Sequence, residues 1–309
     1  ITEHLPNAVV VTSSEILPEY REYERFSTAA LNAYVAPRMQ RYLGDLESRL
    51  KAGGLSPELG IMTSAGGTLP VSRVYDSPVL TMLSGPAAGV IAAAHIGEHC
   101  NCPNLITFDM GGTSTDVCLV RDAKFSMTTD GKVGSLPVKI RQIDIHTVAI
   151  GGGSISEQRS EILTVGPRSA GSVPGPVSYG KGGVLPTITD ANVVLGRLSA
   201  DRPLGRVINL DLPAARAAIE RLADQLGLKV EEMAEGILRI AHISLANAIK
   251  EISVMRGEDP RDFALFPFGG AGPLHAADVA EELGMKRVVV PPLPGTFSAF
   301  GLLVADVRR

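Results

Sequence analysis

The sequence predicts an α/β layered fold, and three observations carry that prediction. Toward its end, strand-like and helix-like segments alternate, with Phe263 to Pro267, Leu274 to Leu283, Arg287 to Val290 and Ser298 to Val304 reading as strand, helix, strand and helix. Two apolar strands, Leu105 to Phe108 and Val117 to Val120, are joined through the glycine-bearing segment MGGTSTD. Between these regions Asp190 to Leu198, Pro213 to Leu226 and Glu231 to Val254 read as helices. In the last two, Ile219, Leu222 and Leu226, and then Ile237, Ile240 and Ile243, recur at helical spacing.

The earlier part of the chain has elements of the same kind. Ala8 to Thr12 is a short β-branched run that predicts a strand, punctuated by Ser13, Ser14 and Pro18. Glu19 to Lys51 predicts a helix, since Phe26, Ala30, Tyr34, Met39, Tyr42, Leu46 and Leu50 recur at helical intervals; Pro37 is expected to kink it and Gly53-Gly54 to stop it. Leu59 to Thr63 predicts a second strand, ending in a turn at Gly66 and Gly67. Ser84 to Ile96 predicts a helix of small residues, with Gly85 and Gly89 on one face where another backbone could pack closely.

Composition narrows the functional classes. A chain of 309 residues, 45% of them hydrophobic, is long enough for two domains with buried cores. A formal charge of -4 without a long Lys/Arg run supplies no electrostatic reason for a nucleic-acid or membrane-surface partner. Cys100, Cys102 and Cys118 cannot form a paired framework, so a reducing compartment, the cytoplasm, is the expected setting. The apolar runs are too short to span a bilayer. His95, His99, Cys100 and Cys102 raise the thought of zinc, but C-x-C is a poor tetrahedral spacing at a helix end. The chain starts at Ile1 within what reads as a continuing domain, and a truncated or processed fragment is expected.

The densest chemical signal is Asp109-Met110-Gly111-Gly112-Thr113-Ser114-Thr115-Asp116. Between two strands it predicts a hairpin whose glycines let backbone N–H groups reach an anion, while Thr113 and Thr115 add hydroxyls and Asp109 can hold a hydrated Mg²⁺. An ordinary Gly-Gly hairpin with polar flanks is the simpler alternative. Phe268-Gly269-Gly270-Ala271-Gly272-Pro273-Leu274-His275 follows a strand and opens a helix, so it could lie against a purine or ribose or be only a tight turn. His275 could reach such a ligand or solvent. In Asp144-Ile145-His146, one strand would point both polar side chains to one face, where they could bind a metal, orient an amide or act as acid and base; a structural turn is the alternative. The pair adjoins the triple-glycine loop Gly151-Gly152-Gly153-Ser154, and Asp190 in TITDAN reads most simply as a helix cap.

Taken together, DMGGTSTD between strands, the small-residue helix before it and FGGAG near the end resemble the sugar kinase, heat-shock chaperone and actin superfamily of ATPases. SSEILPEYREYERFSTAALNAYVAP, LSGPAAGV, ITFDMGGTSTDVCLV, DIHTVAIGGGS, TDANVVLGRL and FGGAGPLHAADVAEELG resemble, more specifically, the hydantoinase A and 5-oxoprolinase family, related to acetone and acetophenone carboxylase subunits. The resemblance implies a ribonuclease H-like α/β fold of two lobes, with residues 1–100 the remainder of an incomplete first lobe and 101–309 the second. It implies ATP with Mg²⁺ or Mn²⁺ as cofactors, a cyclic amide as substrate and a hydantoinase B-like partner subunit or domain. Activation of the ring carbonyl by ATP is the implied reaction; an ATP-dependent carboxylase subunit and a non-catalytic ATP-binding scaffold are the alternatives. Carried onto this sequence, Asp109, Gly111, Gly112, Thr113, Thr115 and Asp116 would form a phosphate loop, and Gly269, Gly270 and Gly272 the adenosine turn. Asp109, Asp144 and His146 become the catalytic and metal candidates, and Asp190, Gly152, Gly153 and Ser154 the substrate candidates. The helix at Gly85 to Gly89 and the segment at Ala299-Phe300-Gly301 would be the two helices between the lobes. Such proteins open with a first phosphate loop of DxGGT type in addition to the one at Asp109, and no second segment of that type stands ahead of Asp109 here, so the chain is expected to hold half of a nucleotide site and to be inactive alone.

Overall fold

The computed structural model describes residue 4 and residues 8–55, 59–205 and 207–307. Along the chain lie helices α1 (Ser13–Ile16) and α2 (Glu22–Ala52), strands β1 (Gly60–Met62) and β2 (Gly67–Pro70), helices α3 (Val71–Asp76) and α4 (Ser84–His99), and strands β3 (Leu105–Met110) and β4 (Thr115–Arg121). Short strands follow, β5 (Lys124–Phe125), β6 (Met127–Thr128), β7 (Gly131–Val133), β8 (Leu136–Val138) and β9 (Gln142–Ile143), then β10 (His146–Val148), β11 (Ser154–Arg159) and β12 (Ile162–Ser169). Then come α5 (Ile188–Val194), α6 (Leu212–Leu226), α7 (Val230–Ile252), β13 (Ala264–Phe268), α8 (Gly272–Glu282), α9 (Phe297–Val304) and β14 (Asp306–Val307). Two compact units result, one of Ile1–Ile96, Lys124–Asp144 and Ser298–Arg309, the other of Gly97–Ala123 and Ile145–Phe297. The single boundary expected near residue 100 is thus crossed again, because residues 124–144 and 298–309 group with the first unit.

In the second unit β10, β4, β3 and β13 lie side by side in that order. β10 with β4, and β4 with β3, are antiparallel, whereas β13 runs parallel to β3. Leu105 and Ile106, on opposite faces of the central strand β3, are both fully buried, as are Phe108 and Met110, so both faces are covered there, which explains a near-continuous apolar run instead of an alternating one. Helix α7 buries Ile237, Ala241, Leu245 and Ile249, four residues apart along one face, in the same core. Each large aliphatic side chain removed from water there contributes about 1.5–3 kcal/mol. Helix α6 starts where Asp211 accepts from the Ala214 N–H at 2.8 Å and stops at Gly227, whose φ of 66° suits a residue without Cβ. The strand expected at Arg287 to Val290 is reduced to one parallel bridge between Val288 and Leu265. Pro291 and Pro292 follow at once, and proline has no N–H with which to extend a ladder.

The first unit corrects several expectations. Ala8 to Thr12 is not a strand, and among the described residues no strand pairs with it; β-branched side chains favour extension but cannot supply ladder partners. Helix α2 does form and runs on through Pro37. Its inward face is Ala29, Asn32, Ala36 and Leu43, while Phe26, Tyr34 and Tyr42 of the expected apolar pattern are exposed. The buried Asn32 amide accepts from the Val79 N–H at 3.0 Å. The close backbone approach expected on α4 at Gly85 and Gly89 is seen at Ala88. A Cβ on Gly301 of α9 would strike the Ala88 carbonyl oxygen and lie 2.6 Å from its carbon, whereas one on Gly85 would meet nothing within 4 Å. Among the described residues no helix is long and apolar enough to cross a membrane.

Candidate functional site

The site grows from the β3–β4 hairpin. Its ladder places Asp109 opposite Asp116 and Met110 opposite Thr115, which leaves Gly111 to Ser114 as the tip, closed by a 3.0 Å bond from the Gly111 N–H to the Ser114 carbonyl. The register continues on both sides, with Thr147 of β10 beside Asp116 and Phe268 of β13 beside Asp109. Alternation along β3 turns Phe108 and Met110 into the core and leaves Asp109 only partly buried. Burial, and then the facing Asp116 carboxylate, push Asp109 up to about 6. Burial also raises Asp116, opposed by the hydrogen bond that Thr147 donates to it.

A second loop packs on that tip. The Gly152 and Gly153 N–H groups donate to the carbonyls of Gly111 and Gly112 at 3.0 and 2.7 Å. Thr189, on α5, donates to the Gly152 carbonyl through both its backbone N–H and its hydroxyl, each at 2.8 Å. Ser154 is fully buried and accepts from the Gly151 N–H at 2.9 Å. Gly152 and Gly153 therefore tie the loop to the hairpin, Gly152 also lining the cavity, while Ser154 braces the loop on Gly151.

The turn between β13 and α8 completes it. Gly269 has φ of 80°, and a Cβ there would come within 2.5 Å of the Met110 carbonyl oxygen and strike the Asp109 carboxylate, so only glycine fits. The Ala271 N–H donates to the Met110 carbonyl at 2.9 Å, and a Cβ on Gly272 would sit 3.0 Å from the Phe108 carbonyl. Both glycine turns thus stand at the carboxyl ends of two neighbouring parallel strands, where open α/β sheets hold ligands. Between them lies a cavity of about 360 Å³ lined by Gly111, Gly112, Gly152, Thr189, Gly270 and Ala271, with Asn192, His275 and apolar walls behind. Gly112 and Gly270 are open to it, since a Cβ on either would meet no atom within 4 Å.

The remaining sequence candidates stand elsewhere. Thr113 is exposed at the hairpin tip. Thr115 is fully buried and spends its hydroxyl on the Ile150 carbonyl at 2.6 Å. Asp190 is fully buried at the third position of α5, in a capping box with Thr187. Its carboxylate accepts from the Val177, Ser178 and Thr187 N–H groups at 3.1, 2.7 and 2.9 Å, so the capping reading is the one the geometry matches. Asp144 and His146 do not share a strand: β9 ends at Ile143, β10 begins at His146, and the boundary between the units falls after Asp144. Sequence spacing could not anticipate a break between two residues of suitable alternation. His146 Nε2 instead lies 3.4 Å from the Glu251 carboxylate. Thr189, Asn192 and Tyr179 were missed as lining residues; only their place in and before TDANVVLGRL marked them in the sequence. Among the described residues no group of at least three His, Cys, Asp or Glu is placed to hold a metal, at His95 to Cys102 or elsewhere.

These features define a mixed α/β protein with a glycine-walled cavity at the carboxyl ends of parallel strands. The chain belongs to the hydantoinase/oxoprolinase family, whose model matches residues 25–309. It is similar to the crystal structure of the ATP-dependent caprolactamase from Pseudomonas jessenii, with 38% identity, a TM-score of 0.83 and coverage of 99% of this chain and 45% of that one. It is also similar to the nucleotide-free structure of an acetone carboxylase, with 32% identity, a TM-score of 0.86 and coverage of 95% and 42%. The acetophenone carboxylase gamma subunit of Aromatoleum aromaticum is 37% identical over 308 residues, 98% of this chain and 42% of its own length. The chain therefore spans less than half the length of these relatives.

Proposed function

We propose that the cavity binds ATP and that the complete protein uses it to open a cyclic amide. One observation carries this reading: two glycine turns about 160 residues apart meet through the Met110 carbonyl and present Gly112 and Gly270 without side chains to the same cavity. Backbone free of Cβ is what close approach to phosphate and ribose requires. The mixed sheet, with antiparallel strands first and a parallel strand after intervening helices, supports a ribonuclease H-like reading of the second unit. Asp109 and Asp116 are neighbouring hard-oxygen donors, and among the described residues no third acidic ligand joins them. That set fits Mg²⁺ held jointly with phosphate and does not fit a site built by protein alone. When bound, the ion would offset charge on the transferring phosphoryl group.

In this reading the hairpin positions the γ-phosphoryl group for transfer to the amide oxygen, with ADP leaving; water then adds to the ring carbon, the C–N bond breaks with the nitrogen leaving as the amine, and a second water hydrolyses the acyl phosphate to carboxylate and phosphate. A hydantoinase B-like subunit or domain would supply the remaining surfaces. The likeness to acetone carboxylase supports a second reading, in which the activated species is captured by carboxylation. The test is ATP turnover by the complete protein with lactams, hydantoins and 5-oxoproline on one side, and ketones with bicarbonate on the other. Turnover with a cyclic amide is expected. Turnover with ketones alone would establish the carboxylase reading, and ATP binding without turnover on either side would reduce the chain to a nucleotide-binding scaffold.

A further inference from the structure

Asn192 carries a buried acceptor that no hydrogen-bond donor among the described residues reaches. The residue lies on α5, is 1% exposed and lines the cavity. Its Nδ2 donates to the Ile188 carbonyl at 2.9 Å and stands 3.3 Å from His275 Nε2. Those contacts assign the amide: reversing it would set Oδ1 against the Ile188 carbonyl oxygen. Oδ1 is then the atom that remains without a donor among the described residues. A buried amide oxygen without a donor is uncommon in folded proteins and calls for an explanation.

The groups behind Asn192 hold that orientation. Burial keeps the His275 imidazole down at about 3, so the ring is neutral and Nε2 can accept from Asn192. Its proton then sits on Nδ1, which lies 2.9 Å from His242 Nε2. Hydrogen bonds run in one direction, from Asn192 to His275 to His242, and rotation of the Asn192 amide would break the first and set two oxygens together. A polar group fixed so firmly on a residue that lines the cavity is suited to recognition. The neighbouring wall is apolar, formed by Leu198, Leu204 and Leu274, as a flat base requires.

We propose that Asn192 Oδ1 recognises the nucleoside part of the ligand by accepting a hydrogen bond from its N–H or O–H, a base amine or a ribose hydroxyl. The inference rests on the reading of the cavity as a nucleotide site. It assigns Asn192 as a specificity-determining contact, with His275 and His242 as positioning residues.

The test uses calorimetric titration of the complete protein with Mg-ATP, inosine triphosphate, 2′-deoxy-ATP and 3′-deoxy-ATP, repeated on Asn192→Leu. Loss of one hydrogen bond is expected to weaken ATP binding by about 3- to 10-fold in Asn192→Leu. One analogue should lose a similar factor against the unmodified protein and lose nothing further against the variant; inosine triphosphate would identify the base amine, a deoxy analogue the ribose. Should Asn192→Leu fail to fold, the analogue series on the unmodified protein still decides. If all analogues bind as tightly as ATP, or if Asn192→Leu binds ATP unchanged, Oδ1 holds water only and the inference is overturned. Failure of the unmodified protein to bind any nucleotide would overturn the reading of the cavity itself.

Discussion

A methyl group on Gly151 would fall 2.7 Å from the backbone nitrogen of Thr113 and 2.8 Å from that of Ser114. The two loops touch backbone to backbone, and neither atom set can give way as a flexible side chain could. Gly151→Ala is therefore expected to lift the hairpin tip, costing about 1–3 kcal/mol of stability and most nucleotide affinity. Gly112→Ala is the contrasting case, because its Cβ would enter open space. It should leave stability within about 0.5 kcal/mol and still weaken ATP binding. Thermal unfolding and ATP titration on the two variants check this; equal destabilisation by both would contradict the packing.

Asp109 should make stability fall as pH rises. Its carboxyl is held up at about 6 by burial and Asp116, against 3.8 ordinarily, so the folded state keeps its proton longer than the unfolded chain. The contribution is fully present below pH 3.8 and is lost as pH rises through about 6. Asp109→Asn, which cannot ionise, is expected to be more stable by ~1–2 kcal/mol at about pH 8, no different at about pH 3.5, and devoid of ATP turnover. Denaturant unfolding across that range is the measurement. A difference independent of pH would show that ionisation is not its source.

The buried histidines give the opposite slope. Burial, and then His242, hold His275 at about 3 against 6.5 in the unfolded chain, so its contribution is present above 6.5 and is lost as pH falls toward 3. Burial also lowers His242. His275→Gln can still accept from Asn192 and donate to His242, so it should fold while removing roughly 1–2 kcal/mol of the loss between about pH 7 and 5. Melting temperatures at several pH values decide it, and an unchanged acid slope would count against a neutral His275.

Asp190 is expected to act on stability more than on turnover. Removing one carboxylate oxygen by Asp190→Asn turns an amide N–H₂ toward N–H donors of Val177, Ser178 or Thr187, at a cost of about 2–4 kcal/mol. Unfolding midpoints and ATP turnover of the folded fraction separate the roles. Normal stability with lost turnover would instead make Asp190 a substrate contact.

Much of the architecture was legible locally. The β3–β4 hairpin, α6, α7, β13 and α8 appear within a few residues of where apolar periodicity and glycine stops put them, because those signals act within one element. Ala8 to Thr12 failed for want of a partner strand, and Arg287 to Val290 because prolines cut its ladder short. Within the site, Gly111, Gly112 and Gly270 were legible as backbone-exposing turns. Asn192 was not, since nothing in TDAN distinguishes a capping carboxylate from a cavity-lining amide two residues later.

By itself the sequence determined that glycines stand where strands end and that Asp190 serves the start of a helix, since φ preference and reach to a nearby N–H depend on neighbouring residues alone. It could not determine that Gly269 presses on Asp109, that Gly151 presses on Thr113, or that a chain of hydrogen bonds from Asn192 to His242 leaves one oxygen without a donor. Those relations join residues far apart in the chain. Burial and the close approach of backbones decide them, and both arise only when the layers have packed.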